Sequence, residues 1–292
     1  MADICSEAIA LYDRYTHQGL DRRTLMSELT RIAGSAAAAS ALLTAIAADP
    51  AAAAVTDEKD PRLIIRRGPI GLERGKLDGY VVAPQLGRQA RKLPALLLVH
   101  ENRGLNRHIE DVARRLALAG FFVVAPDFLT EFGGTPSDQD KARELMGKLD
   151  LSARVADAVE AVEMMRSLPP ANGKVGVIGF CWGGAFVNRL AVAAGDKLDA
   201  AVPYYGPAPD PSEAAKVKAA MLLHYAGIDE RVNVTAAPWI AALKKAGVPT
   251  EAHFYEGANH AFNNDTSAER YNKAAADLAW RRTIAFLERE LA

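Results

Sequence analysis

The residues best placed to do chemistry in this chain are a cysteine, an aspartate and a histidine, in that order. The cysteine is Cys181, in the run Lys174-Val175-Gly176-Val177-Ile178-Gly179-Phe180-Cys181-Trp182-Gly183-Gly184. A short apolar strand pattern ends there and a helical one begins. A Gly-x-Cys-x-Gly turn at such a junction holds its central side chain out of the turn, and the glycines are needed where a Cβ would strike neighbouring backbone. The helix N-terminus behind the sulfur favours a thiolate. A buried structural cysteine is the commonest fate of a lone thiol, but the flanking glycines directly after a strand argue against it here. A thiol nucleophile needs a base, and the base needs an orienting acid. Two downstream loops supply them, Ala226-Gly227-Ile228-Asp229-Glu230 and Gly257-Ala258-Asn259-His260-Ala261-Phe262, each following an apolar run. Asp229 is the expected acid, with Glu230 a weaker alternative, and His260 is the expected base. The chemistry of such a set is acyl transfer.

The other histidines are expected to be structural. His224 and His253 fall inside strand patterns, His100 closes one, His108 starts a helix and His17 lies near the N-terminus. Composition removes several other functions. The chain has 292 residues, half of them hydrophobic and 24% charged, with a formal charge of −1, so no nucleic-acid partner is expected. Cys5 and Cys181 are too far apart in sequence to suggest a zinc site or a disulfide framework. The longest uncharged run, Ile32 to Ala48, is shorter than the roughly 20 apolar residues of a membrane span.

The elements that must position these residues begin near residue 62. Apolar runs at 63–65, 79–82, 95–99, 121–124, 175–178, 200–202, 221–223 and 253–255 predict strands, the first two as an antiparallel pair. Helical patterns lie at 107–119, 138–148, 152–167, 184–194, 234–246 and 267–290. Strands alternating with helices predict an α/β fold, a mostly parallel sheet covered on both faces, with its chemistry at the carboxyl ends of the strands. Residues 61–292 are therefore expected to form the catalytic domain. Residues 1–60 read as an Ala-rich helical appendage. Alternatively they form an export signal, since Asp21-Arg22-Arg23-Thr24-Leu25-Met26 is twin-arginine-like and precedes a weakly hydrophobic segment and Ala51–Ala54. Five acids within residues 1–31 favour the appendage, and with it a cytoplasmic location over a periplasmic one.

From about residue 62 the sequence resembles the dienelactone hydrolase family, also called carboxymethylenebutenolidases. The resemblance rests on the Cys181 turn, on Asp229 and His260 in family order and spacing, and on Glu101 in His100-Glu101-Asn102-Arg103-Gly104. It implies the α/β-hydrolase fold and hydrolysis of ester or lactone bonds in small molecules, without metal or organic cofactor. It also implies that Glu101 contacts the resting thiol and helps remove its proton, and that Tyr204 and Tyr205 line the pocket. Phe262 is a further pocket candidate. The fold places an oxyanion hole at the backbone N–H of Trp182, with a second donor most simply at Asn102. The family's arginine shortly after the histidine is missing. The segment reads His260-Ala261-Phe262-Asn263-Asn264, which makes dienelactone itself a doubtful substrate. A second family arginine should fall in 138–148, with Lys141 and Arg143 as candidates. Arg103 either meets a substrate carboxylate or braces its loop against Glu110 or Asp127. A redox-sensing thiol protein and a non-catalytic interaction protein are the rival functions, and the sequence leaves a homodimer open.

Overall fold

The apolar runs pair into one eight-stranded sheet. Its strands are β1 (Leu63–Pro69), β2 (Asp78–Pro84), β3 (Leu93–Val99), β4 (Phe122–Pro126), β5 (Ala171–Phe180), β6 (Ala200–Tyr204), β7 (Ala220–Ala226) and β8 (Thr250–Tyr255), in the order β1-β2-β4-β3-β5-β6-β7-β8. β2 runs antiparallel to β1 and to β4, and the remaining neighbours are parallel. The computed structural model describes residues 2–17, 19–47, 55–73, 75–86 and 92–292.

The central strands are unbroken apolar runs because both faces of the sheet are covered. α6 (Leu151–Ser167), α7 (Trp182–Ala194) and α8 (Glu230–Lys245) pack one face through Val162, Met165, Phe186, Leu190, Trp239 and Leu243. α4 (Arg107–Leu118) and α9 (Lys273–Glu290) cover the other through Ile109, Val112, Leu116, Phe286 and Leu287. Trp239 is fully buried, and its indole N–H meets Asn188 Oδ1 at 3.2 Å, so its burial strands no donor. α9 starts six residues later than the apolar pattern predicts. The intervening segment is held in turns: Asn264 Oδ1 accepts from the Thr266 N–H and hydroxyl, and Asn272 caps α9 through the Ala275 N–H. Asx chemistry there outcompetes helix propensity.

The N-terminal residues form three helices, α1 (Ala2–His17), α2 (Arg22–Ala33) and α3 (Ala36–Ile46), around a small core of Tyr12, Leu25, Leu29 and Ile46. The twin-arginine-like stretch is the start of α2. Asp21 caps it by accepting from the Thr24 N–H at 2.9 Å, and Arg22 pairs with Asp140 on α5 (Gln139–Met146). Ala51–Ala54 lie outside the described residues. Among those described, no single helix is long and apolar enough to cross a membrane, and α2 and α3 are bent by 108° to one another.

Candidate active site

The turn after β5 holds Cys181 at φ 56°, ψ −113°, a conformation that non-glycine residues rarely adopt. It persists because both sides of the turn are tied down. The Cys181 N–H meets Tyr204 O at 3.0 Å, and its carbonyl accepts from the Ala185 N–H at 3.1 Å. The glycines let the turn close. A Cβ on Gly183 would lie 2.5 Å from the carbonyl oxygens of both Val99 and His100, and one on Gly179 would lie 2.5 Å from Gly183 O. Gly183→Ala is therefore expected to destabilise the protein by roughly 2–3 kcal/mol, the upper part of the overpacking range, because the obstacle is backbone that cannot swing away. Urea denaturation checks this: a midpoint equal to wild type would refute the steric account.

Above this turn the carboxyl ends of β7 and β8 bring the other two residues in. His260 Nε2 lies 3.2 Å from Cys181 Sγ, and its Nδ1 lies 2.5 Å from Asp229 Oδ2. All three side chains are buried. Asp229 also caps α8, its other oxygen accepting from the Val232 N–H at 3.3 Å, so helix and imidazole are fixed by one carboxylate. The Tyr205 ring stands edge-on to His260 at 5.2 Å. Tyr205 and Ala261 share positive φ with Cys181, so all three left-handed non-glycine residues among those described cluster here.

The charges follow the geometry. Burial works against a charged imidazole, but the neighbouring Cys181 and the Asp229 carboxylate outweigh it and push His260 up to about 10. Burial alone would raise Asp229, yet the facing His260 holds it below the usual carboxylate range. A folded pKa above the unfolded value near 6.5 adds stability below that pH, which is lost as pH rises through about 10. The stability advantage of wild type over His260→Gln should therefore be full at pH 6 and fade toward pH 10.5. Denaturation midpoints of the two proteins across that range test it, and an advantage that grows with pH would contradict the sign.

The loop after β3 supplies the facing wall. His100 accepts from the Phe128 N–H at Nε2 (3.3 Å), which leaves Nδ1–H to donate to Glu101 O at 2.8 Å. Burial lowers the His100 pKa and keeps it neutral. The Trp182 ring stacks on it at 5.7 Å. The backbone N–H of Trp182 belongs to the first turn of α7 and so has no partner within its helix. Glu101 is buried. Its Oε2 accepts from Asn264 Nδ2 at 2.9 Å, while Oε1 has no hydrogen-bond partner among the described residues. Glu101, Asn102, Arg103 and Cys181 line one cavity of about 20 Å³ with Thr16 and Arg270.

Tyr204 and Phe262 do not reach that cavity. Both are fully buried in an aromatic layer beneath it, with the Tyr204 hydroxyl spent on Thr283 at 2.6 Å. Tyr205 is fully buried as well, its ring set against His260, so the expectation that Tyr204, Tyr205 and Phe262 line the pocket is not met at this cavity. Arg103 braces against neither expected acid. Glu110 pairs with Arg67, and Asp127 is occupied by Thr135 and the Leu129 N–H. Lys141 pairs with Glu144, and Arg143 lies over the Tyr15 ring, so neither lines the cavity.

Sequence reasoning missed three things. The first is Arg270, a buried guanidinium whose Nε donates to His260 O at 3.1 Å. It stands in a segment whose helical periodicity concealed the turn. The second is the contact of Asn264 with Glu101. The third is α1, which roofs the site: Asn102 Nδ2 donates to Thr16 O at 3.2 Å, Arg103 to the Tyr12 hydroxyl, and Arg270 pairs with Asp13 at 3.3 Å. No local signal connects residues so distant in the chain.

The dienelactone hydrolase family model matches residues 77–291. The chain belongs to the dienelactone hydrolase family. It is a hydrolase of that family, with the α/β-hydrolase fold. A Pseudomonas putida carboxymethylenebutenolidase is 31% identical over 74% of this chain and 95% of its own. A Methylorubrum extorquens protein, provisionally named a carboxymethylenebutenolidase, is 30% identical over 91% of this chain and 94% of its own, a span that reaches into the N-terminal helices. Among solved structures, a provisionally named dienelactone hydrolase from Klebsiella pneumoniae superposes with a TM-score of 0.69 at 25% identity, covering 78% of this chain and 99% of that one.

Proposed function

We propose that this family member hydrolyses carboxylic esters or lactones through a thioester on Cys181. The observation that carries the reading is the position of His260, within hydrogen-bonding reach of both the Cys181 sulfur and the Asp229 carboxylate. The Cys181 thiolate attacks the carbonyl carbon. The developing oxyanion is held by the N–H groups of Trp182 and Asn102, with the α7 dipole behind them. Collapse expels the alcohol, which takes its proton from His260. Water, deprotonated by His260, then cleaves the thioester and releases the acid. Thiolate leaves a tetrahedral intermediate far more readily than an amide nitrogen does, so esters, enol lactones and thioesters are preferred over peptides. Glu101, with one oxygen that has no hydrogen-bond partner among the described residues, lines the same cavity and takes up the thiol proton when substrate arrives. His260, whose raised pKa keeps it protonated, supplies the alcohol's proton and regains one from the water, and Glu101 returns its own to the thiolate that hydrolysis releases.

The test is turnover by reduced enzyme on p-nitrophenyl esters, lactones and thioesters, followed by peptide mass analysis after a rapid acid quench. Acyl mass on the Cys181 peptide is expected. A reduced, folded protein that turns over none of the three classes would overturn the reading and leave a redox role for the thiol.

A further inference from the structure

The cavity at the thiol has room for about one water, and Cys181 is 5% exposed, so no ester reaches the sulfur in this arrangement. Its roof is α1, and its side wall is Arg103. On the far side of Arg103 lies a second cavity of about 300 Å³, bounded by α1, α3 and α5 and lined by Tyr12, Tyr15, Leu43, Ala47, Arg103 and Gln139. Among the described residues, Arg103 is the one that lines both cavities. The second opens outward past Thr44, Asp138 and Arg22, all exposed, and is also lined by Asp140, whose carboxylate is taken up by Arg22 and the Tyr15 hydroxyl. An apolar cavity of about 150 Å³ is enough to take up benzene, so this one has room for a substituted aromatic ring.

Arg103 itself lacks a counter-ion. It is 8% exposed, and its fork donates to two neutral groups, Gln139 Oε1 (2.5 Å) and the Tyr12 hydroxyl. Its Nε is buried with no hydrogen-bond partner, and among the described residues no carboxylate oxygen lies within 4.0 Å of its nitrogens. The neighbouring Arg270, equally buried, has Asp13. A buried guanidinium without an anion is costly unless a ligand is to supply one.

We infer that the cavity between the N-terminal helices and α5 binds the larger portion of the ester, an aromatic ring bearing an anionic group that pairs with Arg103. The N-terminal helices therefore form half of the substrate site and select among esters. This rests on the ester-hydrolase reading for the reaction but not for the binding. As Arg103 turns toward the ligand's anion, it leaves Gln139 and Tyr12, and the partition between the two cavities opens. The carbonyl can then approach Cys181 from the aromatic side.

The experiment compares wild type, Ala47→Phe, Thr44→Trp, Arg103→Gln and the outward control Arg31→Ala. Kinetics use the p-nitrophenyl esters of acetate, phenylacetate and 4-carboxyphenylacetate, and calorimetry measures binding of phenylacetate. The filling variants should lower the kcat/KM ratio of phenylacetate over acetate ester at least tenfold. Thr44→Trp, at the exposed rim, serves if Ala47→Phe does not fold. Arg103→Gln should lower the ratio of carboxylated over plain phenylacetate ester about tenfold and weaken phenylacetate binding as much. Arg31→Ala should leave both ratios unchanged. Ratios within twofold of wild type in the filling and Arg103 variants, while acetate ester still turns over, would overturn the inference alone. Loss of all ester turnover in wild type with phenylacetate binding intact would overturn the hydrolase reading and leave the cavity assignment standing. No phenylacetate binding to wild type would overturn the assignment.

Discussion

Cys181→Ala is expected to reduce kcat/KM for ester hydrolysis by about three orders of magnitude or more, to a residual set by the oxyanion hole and binding alone. The fold should survive. Ala retains the Cβ and so the same positive φ, and the turn is held by the Tyr204 and Ala185 backbone hydrogen bonds, which do not involve sulfur. A thermal midpoint within a few degrees of wild type alongside the activity loss is the expected pair of results. More than a few per cent of wild-type turnover in the Ala variant would remove Cys181 as nucleophile. Cys181→Ser should keep a trace of activity, because serine needs stronger base assistance than a thiol.

The second large effect is expected at Asp229, and it separates two roles of one carboxylate. Oδ2 meets His260 Nδ1 at 2.5 Å while Oδ1 caps α8. Asn caps a helix about as well as Asp, so Asp229→Asn should cost little stability. It cannot supply the negative charge that holds the His260 N–H, and in a serine enzyme the same exchange costs about 10⁴ in kcat. Because a thiolate needs less base assistance, the expected loss here is about 10²- to 10³-fold. Removing that charge also takes away one of the two influences that raise His260, so the limb of the pH–rate profile that reports its deprotonation should move to lower pH. Asp229→Ala should add the loss of the cap, typically ~1 kcal/mol, to the same kinetic defect. A profile limb left in place in Asp229→Asn would dissociate the carboxylate from the histidine.

Much of this is legible in the sequence. The strand runs at 95–99, 175–178 and 221–223 are uniformly apolar because both faces of the sheet are covered. Cys181 announced itself through Gly179 and Gly183, whose missing side chains make room for the carbonyls of Gly183, Val99 and His100. Asp229 and His260 were found by chain order and by their places after strands. The start of α9 was misread because Asn264 and Asn272 rewrite local hydrogen bonding without altering the apolar period. Tyr204 and Tyr205 are adjacent and alike in type, yet one faces Thr283 and the other His260. That difference comes from strand alternation and a positive φ at Tyr205, and composition cannot report it.

The sequence by itself determined the sheet, the strained turn and the order of the three reactive residues. Each depends on steric and hydrophobic patterns among near neighbours, which a one-dimensional string records. Only the tertiary structure decided that α1 roofs the thiol, that Arg270 reaches the carbonyl of His260, and that Arg103 divides two cavities without an acid of its own. The contacts made by α1 join residues far apart in the chain, such as Tyr12 with Arg103, 91 positions distant. They are set by how two separately cored units dock, and the charges and hydroxyls involved would have looked equally at home on a solvated surface.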